Sequence, residues 1–337
     1  MKLQILIPHY KETAGVIRPL LDSIAIQQSI DFSEIGVIIC HDGDDAKDFY
    51  FTDSQVLWND DNGYGLRNYP FEIKQVRQKH NGVSAARNTA FENATADYVM
   101  FCDIDDMFFN ACGLYIIFRE MEVGEFDSLV SVFVEESRNP DTNEIAYINH
   151  EMDSTFVHGK VHRRQYLIDK DIKWNPNLTI HEDSFFNILC QNLSENVKYC
   201  QTSFYLWKWR DESVCRHDPK YILKTYKNML DSNEALIQEF LKRDCKDKAS
   251  FYATLMIFDA YYNMNKPEWI NQKNKLYRKE TEKRFAQYYK KYKDIWDSVA
   301  LSDKMQISNG VRSRMVTEGM QMETMTIDRW LKKIEKL

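Results

Sequence analysis

The chain has 337 residues, of which 44% are hydrophobic and 28% charged. That composition suits a globular protein of about two domains and excludes a low-complexity or disordered chain. No apolar run approaches the ~18–20 residues needed to span a bilayer, and the net charge of −7 is split unevenly, with +8 on residues 220–337 and −15 on the rest.

Leu3-Gln4-Ile5-Leu6-Ile7 predicts a buried first strand, ended by Pro8, and not a leader segment. Residues 15–28 place Val16, Ile17, Leu20, Leu21 and Ile24 at helical spacing. Ile35 to Cys40 reads as a second strand, running into His41-Asp42-Gly43-Asp44-Asp45. Ile73 to Val76 is a third strand and Val83 to Asn93 an alanine-rich helix. Tyr98 to Cys102 is a fourth strand, leading directly into Asp103-Ile104-Asp105-Asp106. Residues 128–134 form a further strand, 143–166 are mixed, and a helix starts near His181-Glu182-Asp183.

Alternating strands and helices predict an α/β fold with a mostly parallel central sheet flanked by helices. Ligands of such sheets bind at the carboxyl ends of the strands, where the polar clusters 8–12, 41–45 and 103–106 fall. From about 219 glycine nearly vanishes and Lys, Glu, Tyr and Met recur at helical intervals. Residues 219–337 therefore read as an α-helical C-terminal domain, broken near Pro267 and around Ser308-Asn309-Gly310. Its basic charge suits a partner different from that of 1–218, or simply a solvated lysine-rich face. The seven cysteines form no Cys-x-x-Cys pair. They are expected to be reduced and mainly buried, in a cytoplasmic protein or one peripheral to the inner membrane face.

Asp103-Ile104-Asp105 carries the first chemical signal. Two carboxylates one residue apart at a strand end can face one crevice and offer hard oxygen ligands to Mn²⁺ or Mg²⁺, cations that bridge diphosphate oxygens. Alone, this pattern is as compatible with a solvated turn or a helix cap. It does not stand alone. Asn81-Gly82-Val83-Ser84-Ala85-Ala86-Arg87-Asn88 precedes it by one helix, and Pro8-His9-Tyr10-Lys11-Glu12 and Asp42-Gly43 lie upstream. Downstream come His158-Gly159-Lys160-Val161-His162-Arg163 and His181-Glu182-Asp183-Ser184-Phe185-Phe186-Asn187. In this order the motifs resemble the family 2 inverting nucleotide-sugar glycosyltransferases, whose fold is of the GT-A type. The resemblance covers roughly residues 1–218.

That resemblance implies a nucleotide-sugar site lined by Pro8, Tyr10, Glu12, Asp42, Gly82, Arg87, Asp103, Ile104 and Arg210. His41 stands where the family pattern has the first of two aspartates. The same resemblance implies metal ligation by Asp105 with Asp103, with His217 as a further candidate ligand in Trp207-Lys208-Trp209-Arg210-Asp211-Glu212-Ser213-Val214-Cys215-Arg216-His217. Asp183 is implied as the general base and Glu182 as its neighbour, orienting the acceptor or raising the pKa of the base. His181-Glu182-Asp183 equally reads as a helix N-terminus, where acids suit the macrodipole.

The reaction implied is transfer of a sugar from a nucleoside-diphosphate sugar, expected to be a UDP-sugar, to a hydroxyl of a glycan or glycopolymer with Mn²⁺ or Mg²⁺. A nucleotidyltransferase would want a glycine-rich N-terminal loop, and residues 8–15 contain only Gly15. A non-catalytic carbohydrate- or polymer-binding protein on the same fold, and a glycosyltransferase acting on modified DNA bases, stand as alternatives. No helix-turn-helix or zinc motif favours a nucleic-acid partner. The C-terminal helices are expected to serve acceptor recognition or homo-oligomerisation, burying Leu255, Ile257, Phe258 and Tyr261 against the catalytic domain or a second subunit.

Overall fold

A computed structural model describes residues 1–43, 49–52, 55–60, 63–139, 142–210, 221–317 and 325–337. The chain divides into two compact units, Met1–His217 and Asp218–Leu337.

The first unit runs β1 (Leu3–His9), α1 (Ala14–Ala25), β2 (Ile35–Asp42), β3 (Phe49–Thr52), β4 (Gln55–Asp60), β5 (Gly63–Asn68), β6 (Glu72–Gln78), α2 (Val83–Glu92) and β7 (Tyr98–Phe101). It continues with β8 (Met107–Phe108), α3 (Gly113–Val123), β9 (Ser128–Arg138), β10 (Ile145–His150), β11 (Lys160–Arg163), α4 (Arg164–Asp169), α5 (Glu182–Leu193) and β12 (Val197–Trp207). The main sheet has the order β6-β2-β1-β7-β11-β9-β12-β8, with β10 paired to β9. Strands β6, β2, β1 and β7 are mutually parallel, β11 is antiparallel to both β7 and β9, and β12 is parallel to β9.

The apolar runs explain the centre of the sheet. Every residue of β2 is buried, as are six of the seven in β1, which is the pattern of strands covered on both faces. Ile17, Leu20, Leu21 and Ile24 of α1 are all wholly buried in the core shared with β1, β2 and β6. Because β1, β2 and β7 are parallel, their carboxyl ends bring Pro8, Asp42 and Asp103 to one edge of the sheet.

Three parts of this unit were not legible as elements. The small antiparallel sheet β3-β4-β5 lies between β2 and β6 in sequence. Helix α3 is short, and β12 carries polar residues on one face along its first half. Neither was assigned from the sequence.

The second unit is helical: α6 (Tyr221–Lys242), α7 (Lys246–Met264), α8 (Pro267–Ile270), α9 (Lys275–Ser298), α10 (Leu301–Thr317) and α11 (Ile327–Ile334). Pro267 ends one helix and opens the next, occupying an initial position where its missing N–H is harmless. The break expected at Ser308-Asn309-Gly310 does not occur, since these residues lie inside α10. A single helical glycine costs only about 1 kcal/mol, and the adjacent Val311 is buried, so packing outweighs propensity.

The apolar face of α7 is also corrected. Ile257, Phe258 and Tyr261 are buried, but Phe258 packs on Trp296 and Tyr261 on Trp330, both of the same unit. Leu255 is only half-buried. Among the described residues, no helix is long and apolar enough to cross a membrane.

Candidate active site

A cavity of about 440 Å³ opens at the carboxyl edge of the sheet. Pro8, Tyr10 and Glu12 line it from the end of β1 and the loop beyond, Asp42 from the end of β2, and Gly82 and Arg87 from the start of α2 and its second turn. Asp103, Ile104 and Asp105 follow β7, Glu182 opens α5, and Arg210 lies just past β12. All nine residues expected around a nucleotide sugar thus share one cavity, with Asp105 and Glu182 beside them. His217 lies outside the described residues.

Asp42 is buried and works inward. Its Oδ1 accepts from the Gln78 side chain and the Asn81 backbone N–H, both at 2.8 Å, and its Oδ2 from the His80 ring at 2.8 Å and the Gly82 N–H at 2.9 Å. Burial by itself would raise its pKa, but these hydrogen bonds outweigh it and hold the carboxyl below its ordinary value. Asp42 therefore pins the turn into α2. Gly82 sits at φ +88° in that turn, a conformation that favours glycine, and a Cβ there would meet nothing within 4 Å.

His41 does not reach the cavity as an aspartate substitute would. It is buried, with Nδ1 2.9 Å from His9 Nδ1 and Nε2 3.1 Å from Gln75 Oε1. Burial, and then the neighbouring His9 and Arg77, lower its pKa to about 4, so it is neutral at pH 7. His9 and His80 both line the cavity, and His80 stacks on Tyr10 with ring centroids 4.3 Å apart. Sequence reading passed over both. The signal for His80 was its place directly before Asn81-Gly82.

The three aspartates after β7 are organised differently from one another. Arg87 donates to Asp103 Oδ1 at 2.8 Å and to Glu182 Oε1 at 3.1 Å, and its guanidinium lies 4.3 Å from the Trp174 ring. Burial would raise Asp103, but Arg87 prevails and holds it below the ordinary carboxylate value. Asp105 accepts from Arg210 Nη1 at 3.0 Å. Its pKa is raised, first by burial and then by the negative charges of Asp106 and Asp103.

Asp106 is wholly buried. It accepts from the Tyr205 hydroxyl at 2.6 Å and from the Lys208 backbone N–H at 3.1 Å, and His158 Nδ1 stands 3.3 Å away. Tyr205 also accepts from the Asp103 N–H at 3.2 Å. Asp106 thereby ties the aspartate turn to the end of β12, which sets Arg210 over Asp105. Asp103, Asp106 and His158 could together hold a cation, but neither Asp106 nor His158 is among the residues lining the cavity. Of the segment 158–163, Lys160 and His162 are buried as well.

Glu182 and Asp183 begin α5 after His181, which adopts a left-handed conformation with φ 63°. The helix N-terminus favours both carboxylates. Glu182 is held by Arg87. The Oδ1 of Asp183 accepts from the Ser184 N–H at 2.8 Å. Burial first, and then the adjacent Glu182 charge, push Asp183 up to about 7, against the opposing pull of Arg87.

The sequence model of glycosyl transferase family 2 matches residues 4–190, more than half of the chain. The chain belongs to that family. This family 2 glycosyltransferase is 25% identical over 243 residues to glycosyltransferase GlyA of Streptococcus pneumoniae serotype 4, a match covering 64% of this chain and 32% of the relative. It is 31% identical over 109 residues to succinoglycan biosynthesis protein ExoW of Rhizobium meliloti, covering 32% and 30% respectively. The matches span about a third of the length of these curated relatives.

Among solved structures it is similar to S. aureus TarS 1-349 in complex with UDP, with a TM-score of 0.58 and 14% identity over 98% of this chain and 95% of that one. The TarS 1-349 complex with UDP-GlcNAc gives a TM-score of 0.58 and 15% identity over 93% and 92%. The glycosyltransferase thus has the GT-A fold of TarS: a mixed, mostly parallel sheet flanked by helices, followed by a helical C-terminal region.

Proposed function

We propose that this glycosyltransferase inverts the anomeric centre while moving a sugar from a UDP-sugar to a hydroxyl of a glycan or glycopolymer, with Mn²⁺ or Mg²⁺ as cofactor. The observation that carries the reading is the single cavity shared by Tyr10, Arg87, Asp103, Asp105, Glu182 and Arg210. Its Tyr10 and His80 end offers aromatic faces to a base, and its Asp103, Asp105 and Arg210 end suits a diphosphate with a cation. TarS, with the same fold, is solved with UDP and with UDP-GlcNAc.

The donor set fits a hard dication. Asp103 and Asp105 both face the cavity, and the repulsion that raises Asp105 is what a second positive charge would relieve. When bound, the cation would be held by Asp105 with Asp103 and would stabilise negative charge on the leaving diphosphate. The remaining work falls to side chains. Arg210 offers a planar fork to phosphate oxygens. Arg87 holds Asp103 and Glu182 in place and keeps Asp103 ionised. Asp183, with its raised pKa, takes the proton of the acceptor hydroxyl as that oxygen attacks the anomeric carbon, the range in which a general base works best at neutral pH.

The helical unit, by this reading, serves acceptor recognition or self-association. The carboxylates at 103, 105, 182 and 183 favour catalysis over binding alone. UDP release from UDP-sugars, measured with Mn²⁺ and with chelator, tests the proposal. Asp105→Ala should lower transfer about 10²-fold or more, and full activity in EDTA would remove the metal from the mechanism.

A further inference from the structure

The turn after β7 carries three carboxylates within four residues, and the structure sets a basic side chain against each. Arg87 pairs with Asp103 at 2.8 Å, His158 stands 3.3 Å from Asp106, and Arg210 pairs with Asp105 at 3.0 Å. They are not equally held. The Arg87 side chain is 4% exposed, lies on Trp174 and is also tied to Glu182. His158 is likewise 4% exposed, its ring packed between Tyr205 and Trp207. Withdrawing either would strand a buried charge. Arg210 is 30% exposed, follows the end of β12 and lines the cavity. A partly exposed pair of this kind separates at little cost.

Position adds a second constraint. The oxygen that Arg210 occupies, Oδ2 of Asp105, belongs to a carboxylate that faces the cavity. A dication and a guanidinium cannot share that oxygen without repelling each other. Once turned away, the Arg210 guanidinium remains at the cavity, where an anionic ligand would compensate its charge.

We propose that Arg210 is an exchangeable counter-ion, holding the place at Asp105 that a divalent cation takes when a nucleoside diphosphate enters, and then pairing with the diphosphate. This rests on the nucleotide-sugar reading of the cavity. Without nucleotide, Arg210 competes with the cation. With nucleotide bound, it supports the complex that contains the cation. Cation and nucleotide therefore strengthen each other's binding through one side chain, and the coupling is reciprocal.

The test is Mn²⁺ binding, read by the electron paramagnetic resonance of the free ion. It uses the full chain as wild type, Arg210→Gln and Arg210→Lys, each with and without saturating UDP and corrected for Mn²⁺ bound by UDP alone. Without UDP, Arg210→Gln should bind Mn²⁺ about three- to tenfold more tightly than wild type, because a competing charge has gone. With UDP the order should reverse, the variant binding about threefold or more weakly. Arg210→Lys keeps the charge but not the fork, so without UDP it should stay near wild type. Unchanged or weaker Mn²⁺ binding by Arg210→Gln without UDP, in a protein that still binds UDP, would overturn the exchange while leaving the nucleotide-sugar reading intact. Wild type that binds UDP but no Mn²⁺ would overturn both the exchange and the metal. Wild type that binds neither would overturn the cavity assignment itself.

Discussion

At residue scale, the proposed role of Asp183 as general base concentrates the chemistry in one titration. A base is active only when deprotonated, so kcat/KM for the acceptor should rise with pH through about 7 and then level. Glu182 is one cause of that high value, and Glu182→Gln should move the rising limb to lower pH. A limb that stays in place would take Glu182 out of the tuning. Asp183→Asn should reduce turnover by about 10²-fold or more while leaving UDP affinity near wild type; equal losses in both would place Asp183 in the nucleotide pocket.

The same carboxyl affects stability. Its folded pKa lies above the ordinary 3.8, so between pH 4 and 7 the unfolded chain releases a proton that the folded one keeps, and stability falls as pH rises. Asp183→Asn should therefore raise Tm by about 2–8 °C at pH 8 and leave it unchanged near pH 4. Differential scanning at both pH values reads this directly.

At the scale of elements, the site depends on how strands end and helices begin. Asp42 fastens the turn before α2 by four hydrogen bonds, and Gly82 supplies the backbone angle this requires. Gly82→Ala meets no steric obstacle, so its penalty is conformational, about 1–3 kcal/mol. It should lower Tm and weaken UDP binding together, by relaxing the turn. A variant that loses stability without losing UDP affinity would detach the turn from the site. At the other side, Tyr205 accepts from the Asp103 N–H and donates to Asp106. Tyr205→Phe leaves the Asp103 N–H without its acceptor and takes one donor from buried Asp106, which keeps the Lys208 N–H, a cost of about 1–3 kcal/mol. It should also weaken Mn²⁺ binding in the presence of UDP, since the turn that presents Asp105 loses its tie to β12.

At the scale of the whole molecule, the charge is divided between the two units, and residues 220–337 of the helical unit carry +8. Part of that charge is engaged internally. Arg284 pairs with Asp231 at 2.8 Å and also with Glu234, which Lys291 pairs with at 2.5 Å. Reversing Lys291 would disturb the packing of α9 on α6 and confuse folding with recognition. Lys290, Lys332 and Lys333 are exposed and are the cleaner positions. If the helical unit meets an anionic acceptor, Lys290→Glu with Lys332→Glu and Lys333→Glu should raise acceptor KM several-fold at low salt. The effect should fade as salt is added. Acceptor-free hydrolysis of the donor should stay near wild type. Unchanged acceptor kinetics at low ionic strength would mean that this surface is a solvated scaffold.

The parallel core and the cavity at its edge were legible in the sequence because local order dictates both. Uninterrupted apolar runs such as Ile35 to Cys40 leave no solvated face, and polar residues directly after such runs fall at strand ends. Pro8, Asp42 and Asp103 could therefore be placed at strand ends before any contact was known, whereas Gly82 followed only from the resemblance to family 2. Tertiary structure alone decided the partners. Arg87 turns to Asp103 and Glu182, 16 and 95 residues away. Asp106 faces Tyr205 and Lys208, and His41 pairs with His9 inside the core. Strand β12 exists because β9 offers it a parallel edge, and α10 runs through Gly310 because Val311 is buried beside it. A charge or a weak propensity in a sequence has many partners open to it. Which one it takes is settled by burial, where an unpaired charge costs more than any local preference.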